Sequence, residues 1–346
     1  MEYINDINIL EAVIHILDNN GDEPVLNHYK LELNEDIYKF ILKHLQKSLN
    51  DEELKYAVFN EKRTIVKEVS QEFLNGENTD FIEVSQELAR QMFSLMKSNV
   101  NIPSCDLMVV YFFTEYGPMI GILKMDYVKN FTHQIDFVDN KIDINIVPHT
   151  AGLPGGGQRL QKCAFIKPMR EGQEFNLMLI DKQNKSKEND EYGSNFFIEN
   201  YLGCTIIANE RDMTKNLLKA AESWTRNNLQ EDAEKAEQVR TQLKQKLKQE
   251  ETININELSE DIFKDEPQAM QSFNEFVAAQ GLEEEITLDK QYLEKKLKRV
   301  RLKIDKDIDL YVNEEAYSDI NRFEIVRNGD GSINMIIKHV MNYIEK

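Results

Sequence analysis

Apolar positions in this chain recur in three ways: every second residue, every three to four residues, and in short unbroken runs. Positions 7–17 are rich in β-branched residues, and Asn19, Asn20, Gly21 and Asp22 form a turn signal. Positions 25–33, with Val25, Leu26, Tyr29, Leu31 and Leu33, are expected to return as the second strand of a hairpin. Asn34 fits a helix N-cap, with Glu35 and Asp36 in the first turn. Ile37, Phe40, Ile41, His44 and Leu45 then keep helical spacing to Leu49. After the polar stretch 75–78, Phe81, Val84, Leu88, Met92, Leu95 and Met96 share one face of a second helix. Positions 107–113 read as a buried strand, and Tyr116, Gly117 and Pro118 turn it into another at 119–125. Further strands are expected at 142–147, 160–167 and 175–181.

From Asp212 the pattern becomes helical. Met213, Leu217, Ala220, Ala221 and Trp224 mark one helix, and Ala236, Val239, Leu243 and Leu247 mark a long charged one. Two short helices flank Asp265, Glu266 and Pro267. Positions 299–304 alternate strictly, and 323–327 and 333–338 form a hairpin through Asn328, Gly329, Asp330 and Gly331. The expected architecture is α+β in two parts. Residues 1–205 hold a mostly antiparallel sheet with helices; residues 206–346 hold a helical region, a basic strand and a C-terminal β-hairpin.

The chain has 346 residues, 41% hydrophobic and 30% charged, which fits a globular protein of about two domains. The longest apolar run, 107–113, is far too short for a membrane helix, and the acidic N-terminus lacks the order of a signal peptide. Cys105, Cys163 and Cys204 are widely spaced and are expected to be reduced, as in a cytoplasmic compartment. Cys163 is expected to pack within a strand.

Catalytic signatures are missing. Gly155, Gly156 and Gly157 are followed by Gln158 and Arg159, not by the lysine of a phosphate-binding loop. Asp305, Asp307 and Asp309 imitate a calcium loop, but Leu310 and Ala316 stand where glycine and glutamate are required. The six histidines show no zinc spacing. No metal, cofactor or enzymatic activity is expected.

Charge points elsewhere. Lysine and arginine number 42 against 61 acids, a net charge of -19 that does not favour a polyanionic partner for the chain as a whole. Residues 290–346 are the exception, with 12 basic and 10 acidic residues. Eight cations fall between Lys290 and Lys306, against only Glu294 and Asp305. On a strand, Arg299, Arg301 and Lys303 share one face at roughly 7 Å spacing, close to the phosphate repeat of a nucleic-acid strand. Lys296 and Lys298 precede them. Arg240, Lys244 and Lys248 line one face of the long helix, although acids first and bases last is also what a helix dipole prefers. Arg159 and Lys162, beside the glycine loop, are a third candidate pair. The two short helices suggest a helix-turn-helix, yet residues 268–280 contain no lysine or arginine, and Phe273, Phe276 and Val277 read as core.

Taken over its full length, the sequence resembles the bacterial 37-kDa nucleoid-associated protein family. The resemblance is carried by Phe81-Ile82-Glu83-Val84-Ser85, by 107–112, by Leu160-Gln161-Lys162-Cys163-Ala164-Phe165-Ile166 and by 196–204. Ser272-Phe273-Asn274-Glu275-Phe276 and Arg301-Leu302-Lys303-Ile304-Asp305 complete it. It implies a non-enzymatic cytoplasmic protein located on the nucleoid that binds double-stranded DNA. Together with the cations it gives an expectation of phosphate-directed, sequence-tolerant contact, made directly or through a protein partner. The other reading is an acidic interaction module, or DNA mimic, that regulates a DNA-processing enzyme. A homo-oligomer is compatible with either.

Overall fold

The computed structural model describes every residue except 100, 128–129, 139–140, 150–152, 156–157, 183–195, 265, 306, 343 and 345–346. The chain divides into two compact units, 2–207 and 208–346, with Met1 grouped with the second. The architecture is α+β.

The first unit is built on a seven-stranded sheet in the order β1-β3-β4-β7-β8-β2-β9, with every neighbouring pair antiparallel. Its strands are β1 Asn8–Leu17, β2 Lys55–Phe59, β3 Cys105–Thr114, β4 Gly117–Asp126, β7 Lys162–Ile166, β8 Leu177–Asp181 and β9 Cys204–Ile207. Helix α1 spans Glu35–Leu49, capped by the Asn34 side chain, which accepts from the Ile37 amide at 3.0 Å. Helices α2 Ile65–Leu74 and α3 Phe81–Ser98 cover one sheet face. Phe81, Val84, Leu88, Met92 and Met96 of α3 are buried there with Leu107, Val109, Ile120 and Ile122, and Leu95 packs partly buried against them. On the other face a Cβ at Gly121 would sit 3.3–3.5 Å from Phe112, Leu45 of α1 and Phe165. A sheet covered on both sides explains why β3 is an unbroken apolar run rather than an alternating one.

One expected element is corrected. Residues 25–33 are not a strand; only Val25 bridges β1, at Ile16. The partner of β1 is β3, with matched pairs from Asn8–Phe113 to Leu17–Cys105. Beyond that bridge the 25–33 segment is held by isolated contacts: the Leu31 amide donates to the Ala12 carbonyl of β1 at 2.8 Å, the Asn27 amide donates to His15 Nδ1 at 3.1 Å, and Gln86 Nε2 donates to the Asn27 carbonyl at 2.9 Å. A long apolar strand buries both of its faces, and a loosely alternating polar segment cannot match that. A second hairpin, β5 Asn130–Val138 with β6 Lys141–His149, forms a two-stranded sheet of its own. The 142–147 strand was legible in the sequence, its partner was not. Residues Phe196–Leu202 form a π-helical turn closed by Gly203, whose φ of 65° is left-handed.

The three cysteines are buried and unbridged. Burial pushes each thiol up to about 12.

The second unit contains helices α4 Glu210–Asn228, α5 Ala233–Gln249, α6 Ile255–Phe263, α7 Pro267–Ala279, α8 Lys290–Leu297 and α9 Glu314–Ser318. Three two-stranded sheets accompany them: β10 Thr252–Asn254 with β11 Glu285–Thr287, β12 Arg299–Ile304 with β13 Ile308–Asn313, and β14 Phe323–Arg327 with β15 Ile333–Ile337. Trp224 stands edge-on to Phe263 and Phe273, with ring centres 5.0 and 5.5 Å away. Its indole N–H donates to Ser272 Oγ at 3.1 Å. Phe273 and Val277 are buried in this cluster, so α7 is a packing helix. The Asp305, Asp307 and Asp309 triplet forms the β12–β13 turn and the start of β13, with Asp305 left-handed at φ 47°.

Candidate nucleic-acid interface

Two of the three cation groups legible in the sequence meet in one place. A cleft of about 1450 Å³ in the second unit is lined by Arg240, Lys244 and Lys248 of α5 and by Lys296, Arg299, Arg301 and Lys303 of α8 and β12. Arg226, from the last turn of α4, joins them. The eight cations face four lining carboxylates, Glu222, Glu237, Asp305 and Glu314. The lining therefore carries a local excess of four positive charges in a chain of net charge -19.

Local folding accounts for the convergence. Asp289 caps α8, accepting from the Tyr292 amide at 3.0 Å, and Arg211 Nε lies 3.3 Å from its other oxygen in a buried pair. Lys290 Nζ then donates to the last carbonyls of α5, Leu247 at 3.2 Å and Lys248 at 3.1 Å. This lysine is a helix clamp, not an exposed cation. It sets the start of α8 against the end of α5, so the cations that follow run beside those of α5. The Glu314 amide donates to the Lys298 carbonyl at 3.0 Å, which brings α9 to the same cleft.

The β12–β13 register sorts the strand's two faces. Arg299 opposes Asn313, Arg301 opposes Tyr311 and Lys303 opposes Asp309, all on the outward face. The Arg301 guanidinium lies 5.0 Å from the Tyr311 ring centre and 3.5 Å from Asp309. On the other face Val300 is buried, whereas Leu302 and Ile304 are only half-buried and line the cleft.

The α5 cations are already engaged. Arg240 makes a forked pair with Glu222, at 2.8 and 3.0 Å. Lys248 pairs with Glu314, and that contact, ahead of all else, holds the Glu314 carboxyl below its usual range. Lys244 is largely enclosed, with its ammonium 5.6 Å from the Tyr317 ring centre. Burial, then the neighbouring Arg240, lowers its pKa, and burial also raises that of Tyr317. Among the described residues, Lys296, Arg299 and Lys303 make no ion pair. Lys298 is exposed but outside the cleft lining, and Lys306 lies outside the described residues.

Arg159 and Lys162 belong to the first unit and are not part of this constellation. Lys162 is mostly enclosed, paired with buried Asp181, with its ammonium 5.0 Å from the Phe196 ring centre. Arg159 is exposed and stands 3.9 Å from Asp51. Gly156 and Gly157 of the adjoining loop lie outside the described residues.

Sequence reasoning missed Arg226, the four carboxylates of the lining and Tyr317. Only Glu222 and Arg226 carried a signal, as an i, i+4 pair beside Trp224. The rest come from segments distant in sequence. No helix among the described residues is long and apolar enough to cross a membrane, and no group of three or more metal-ligating side chains occurs among them.

A family model described as nucleoid-associated protein YejK matches residues 13–345. No curated protein matches the chain.

Proposed function

The match covers nearly the whole chain, so the protein belongs to this nucleoid-associated family, and from that premise we propose that it binds double-stranded DNA directly, through phosphates and without strong sequence preference. The observation that supports this reading is the cationic cleft of the second unit, where Arg240, Lys244 and Lys248 run beside Lys296, Arg299, Arg301 and Lys303. Phosphate contacts position a protein on a duplex but carry no base information. The cleft supplies lysines and arginines for such contacts, while α7, the element closest in form to a base-reading helix, spends Phe273 and Val277 on packing.

Affinity is expected to be modest. The whole-chain charge repels DNA at long range, and Glu222 and Glu314 occupy cations that phosphates would need. Exposed ion pairs are worth about 0–1 kcal/mol, so a phosphate can displace such a carboxylate at small cost. The role is read as non-enzymatic: the three thiols are buried and held protonated by burial, so none is placed to act as a nucleophile.

The test is binding of the purified full-length chain to several unrelated duplexes across a salt series. The reading expects similar affinities for all of them and a linear fall of log affinity with log salt. No binding at low salt, with the protein retained instead by a DNA-processing enzyme, would favour the interaction-module reading.

A further inference from the structure

We propose that the cationic cleft of the second unit is also the site of a free small ligand, a nucleoside 5′-triphosphate, whose phosphates meet Lys244 and whose base lies on the aliphatic wall formed by β12. Such binding does not depend on the cleft also taking DNA.

A duplex leaves two features of the cleft unused. The first is Lys244. It is largely enclosed, and among the described residues its ammonium makes neither a hydrogen bond nor an ion pair; its neighbour is the Tyr317 ring, centred 5.6 Å away. The carboxylates nearby are taken: Glu222 by Arg240, Glu314 by Lys248 and Glu237 by Arg327. Withdrawing an ammonium from water without an acceptor is costly, and an anion entering the cleft removes that cost. Arg240 and Lys248 stand about one turn to either side on α5, at steps of roughly 6 Å along the helix. A chain of phosphates laid along this row meets three cations.

The second feature is apolar. In the β12–β13 register Leu302 and Ile304 share a face with Ile308, which opposes Ile304. All three line the cleft, as do Ile333 and Met335 of β15, and Ile308 is 54% exposed. A duplex meets a protein chiefly through phosphate and sugar, so it has little to lay on such a wall. Aliphatic walls with a few convergent polar groups are the make-up of a small-molecule pocket.

Charge selects the ligand within that class. The lining's excess of four positive charges matches a triphosphate, which carries about four negative charges near neutral pH. A single phosphate monoester, as in a lipid headgroup, brings only about 1.5–2. The cleft, at about 1450 Å³, has room for such a ligand, since small-molecule sites run to roughly 300–1,000 Å³. Single-stranded nucleic acid is disfavoured because its bases stack on aromatic rings. The aromatic ring of the lining, Tyr317, is already flanked by Lys244 and by Phe323, whose ring centre lies 5.1 Å away.

Equilibrium dialysis of the full-length chain against radiolabelled ATP in magnesium-free buffer is the test, with sodium tripolyphosphate and adenosine as competitors. ATP is expected to bind with a submillimolar Kd, tripolyphosphate to displace it about tenfold less well, and adenosine to displace it more weakly still. Lys244→Gln should weaken ATP binding about tenfold while the thermal midpoint stays level or rises, because an enclosed charge without a partner is removed. Ile304→Asn/Ile308→Asn should lower ATP to the affinity of tripolyphosphate and leave tripolyphosphate itself unchanged, which also reports that this variant is folded. No retention of ATP at roughly 1 mM, or full ATP affinity in Lys244→Gln, overturns the proposal. So does a wild type that binds tripolyphosphate as tightly as ATP, which makes the cleft an anion site without a place for the base, or an asparagine pair that keeps the wild-type preference for ATP.

Discussion

Arg240 meets Glu222 through two parallel hydrogen bonds, 2.8 Å from Nε and 3.0 Å from Nη2. This is also the geometry in which a guanidinium grips a phosphate, so under the proposed DNA-binding reading the carboxylate holds the place a phosphate would take. Glu314 occupies Lys248 through a single ammonium–carboxylate contact. The cleft is thus partly neutralised from within: Arg240 and Lys248 would reach a phosphate by exchange, whereas Lys296, Arg299 and Lys303 make no ion pair among the described residues.

It follows that Glu222→Gln and Glu314→Gln should each raise DNA affinity by up to about fivefold, the equivalent of a surface ion pair. The salt slope should steepen by up to about one unit per released cation. Fluorescence anisotropy across a salt series reads both quantities. Unchanged affinity in both variants would show that these carboxylates do not compete with phosphate.

Leu88 is fully buried between α3 and the sheet. Leu88→Ala should cost about 2–5 kcal/mol through the lost transfer energy and the cavity left behind. Denaturant unfolding measures the loss, and stability equal to wild type would mean the α3 interface does not carry the core.

His15 supplies a pH dependence with a definite sign. Its Nε2 lies 3.0 Å from Ser85 Oγ, which itself donates to the Ile82 carbonyl, so Nε2 is the donor. Nδ1 accepts from Asn27. The neutral ring is fully satisfied, and burial foremost, then Arg90 and His28, lowers its pKa to about 4. The folded chain therefore refuses a proton that the unfolded chain takes near pH 6.5. Stability from this group is whole above pH ~6.5 and is lost as pH falls toward about 4, by on the order of 2–3 kcal/mol. His15→Gln should flatten that part of the curve, although the variant costs some stability at pH 7. An identical loss between pH 6.5 and 4.5 in both proteins would move the effect to other groups.

Gly203 has φ 65°, and a Cβ there would run into the Thr64 methyl at the N-cap of α2. The Asn60 amide also donates to its carbonyl at 2.9 Å, so the backbone cannot easily retreat. Gly203→Ala should destabilise by about 1–3 kcal/mol, combining the left-handed backbone with the clash. A thermal midpoint equal to wild type would show that this junction relaxes freely.

Much of the fold could be read from periodicity because the periodic elements are long. Helix α1 runs as its N-cap and apolar spacing indicate, and α3 buries the expected face. Positions 25–33 failed because a turn followed by mixed apolar residues resembles a hairpin locally, while β1 gains more by pairing with distant β3. Short β2 and β9 and the π-helical turn carry too few residues for a period to show. At the candidate site, the cations of α5 and of β12 were each visible as a local row. Their meeting was not, because it depends on Lys290 reaching the α5 carbonyls and on Asp289 capping α8. Lys162 looked like its neighbours in sequence, and only the fold reveals Asp181 beside it.

The central claim is that the outward row of β12 meets phosphates, and the salt dependence of DNA binding tests it most directly. Replacing Arg299, Arg301 and Lys303 together by alanine should leave the fold intact, since all three are exposed and Val300 keeps the buried face. Each B-DNA phosphate contact contributes about 0.9 to the slope of log affinity against log salt, so losing three should flatten it by roughly 2–3 units, equally for unrelated duplexes. A folded triple variant with the wild-type slope would remove this strand, and the cleft it borders, from the DNA interface.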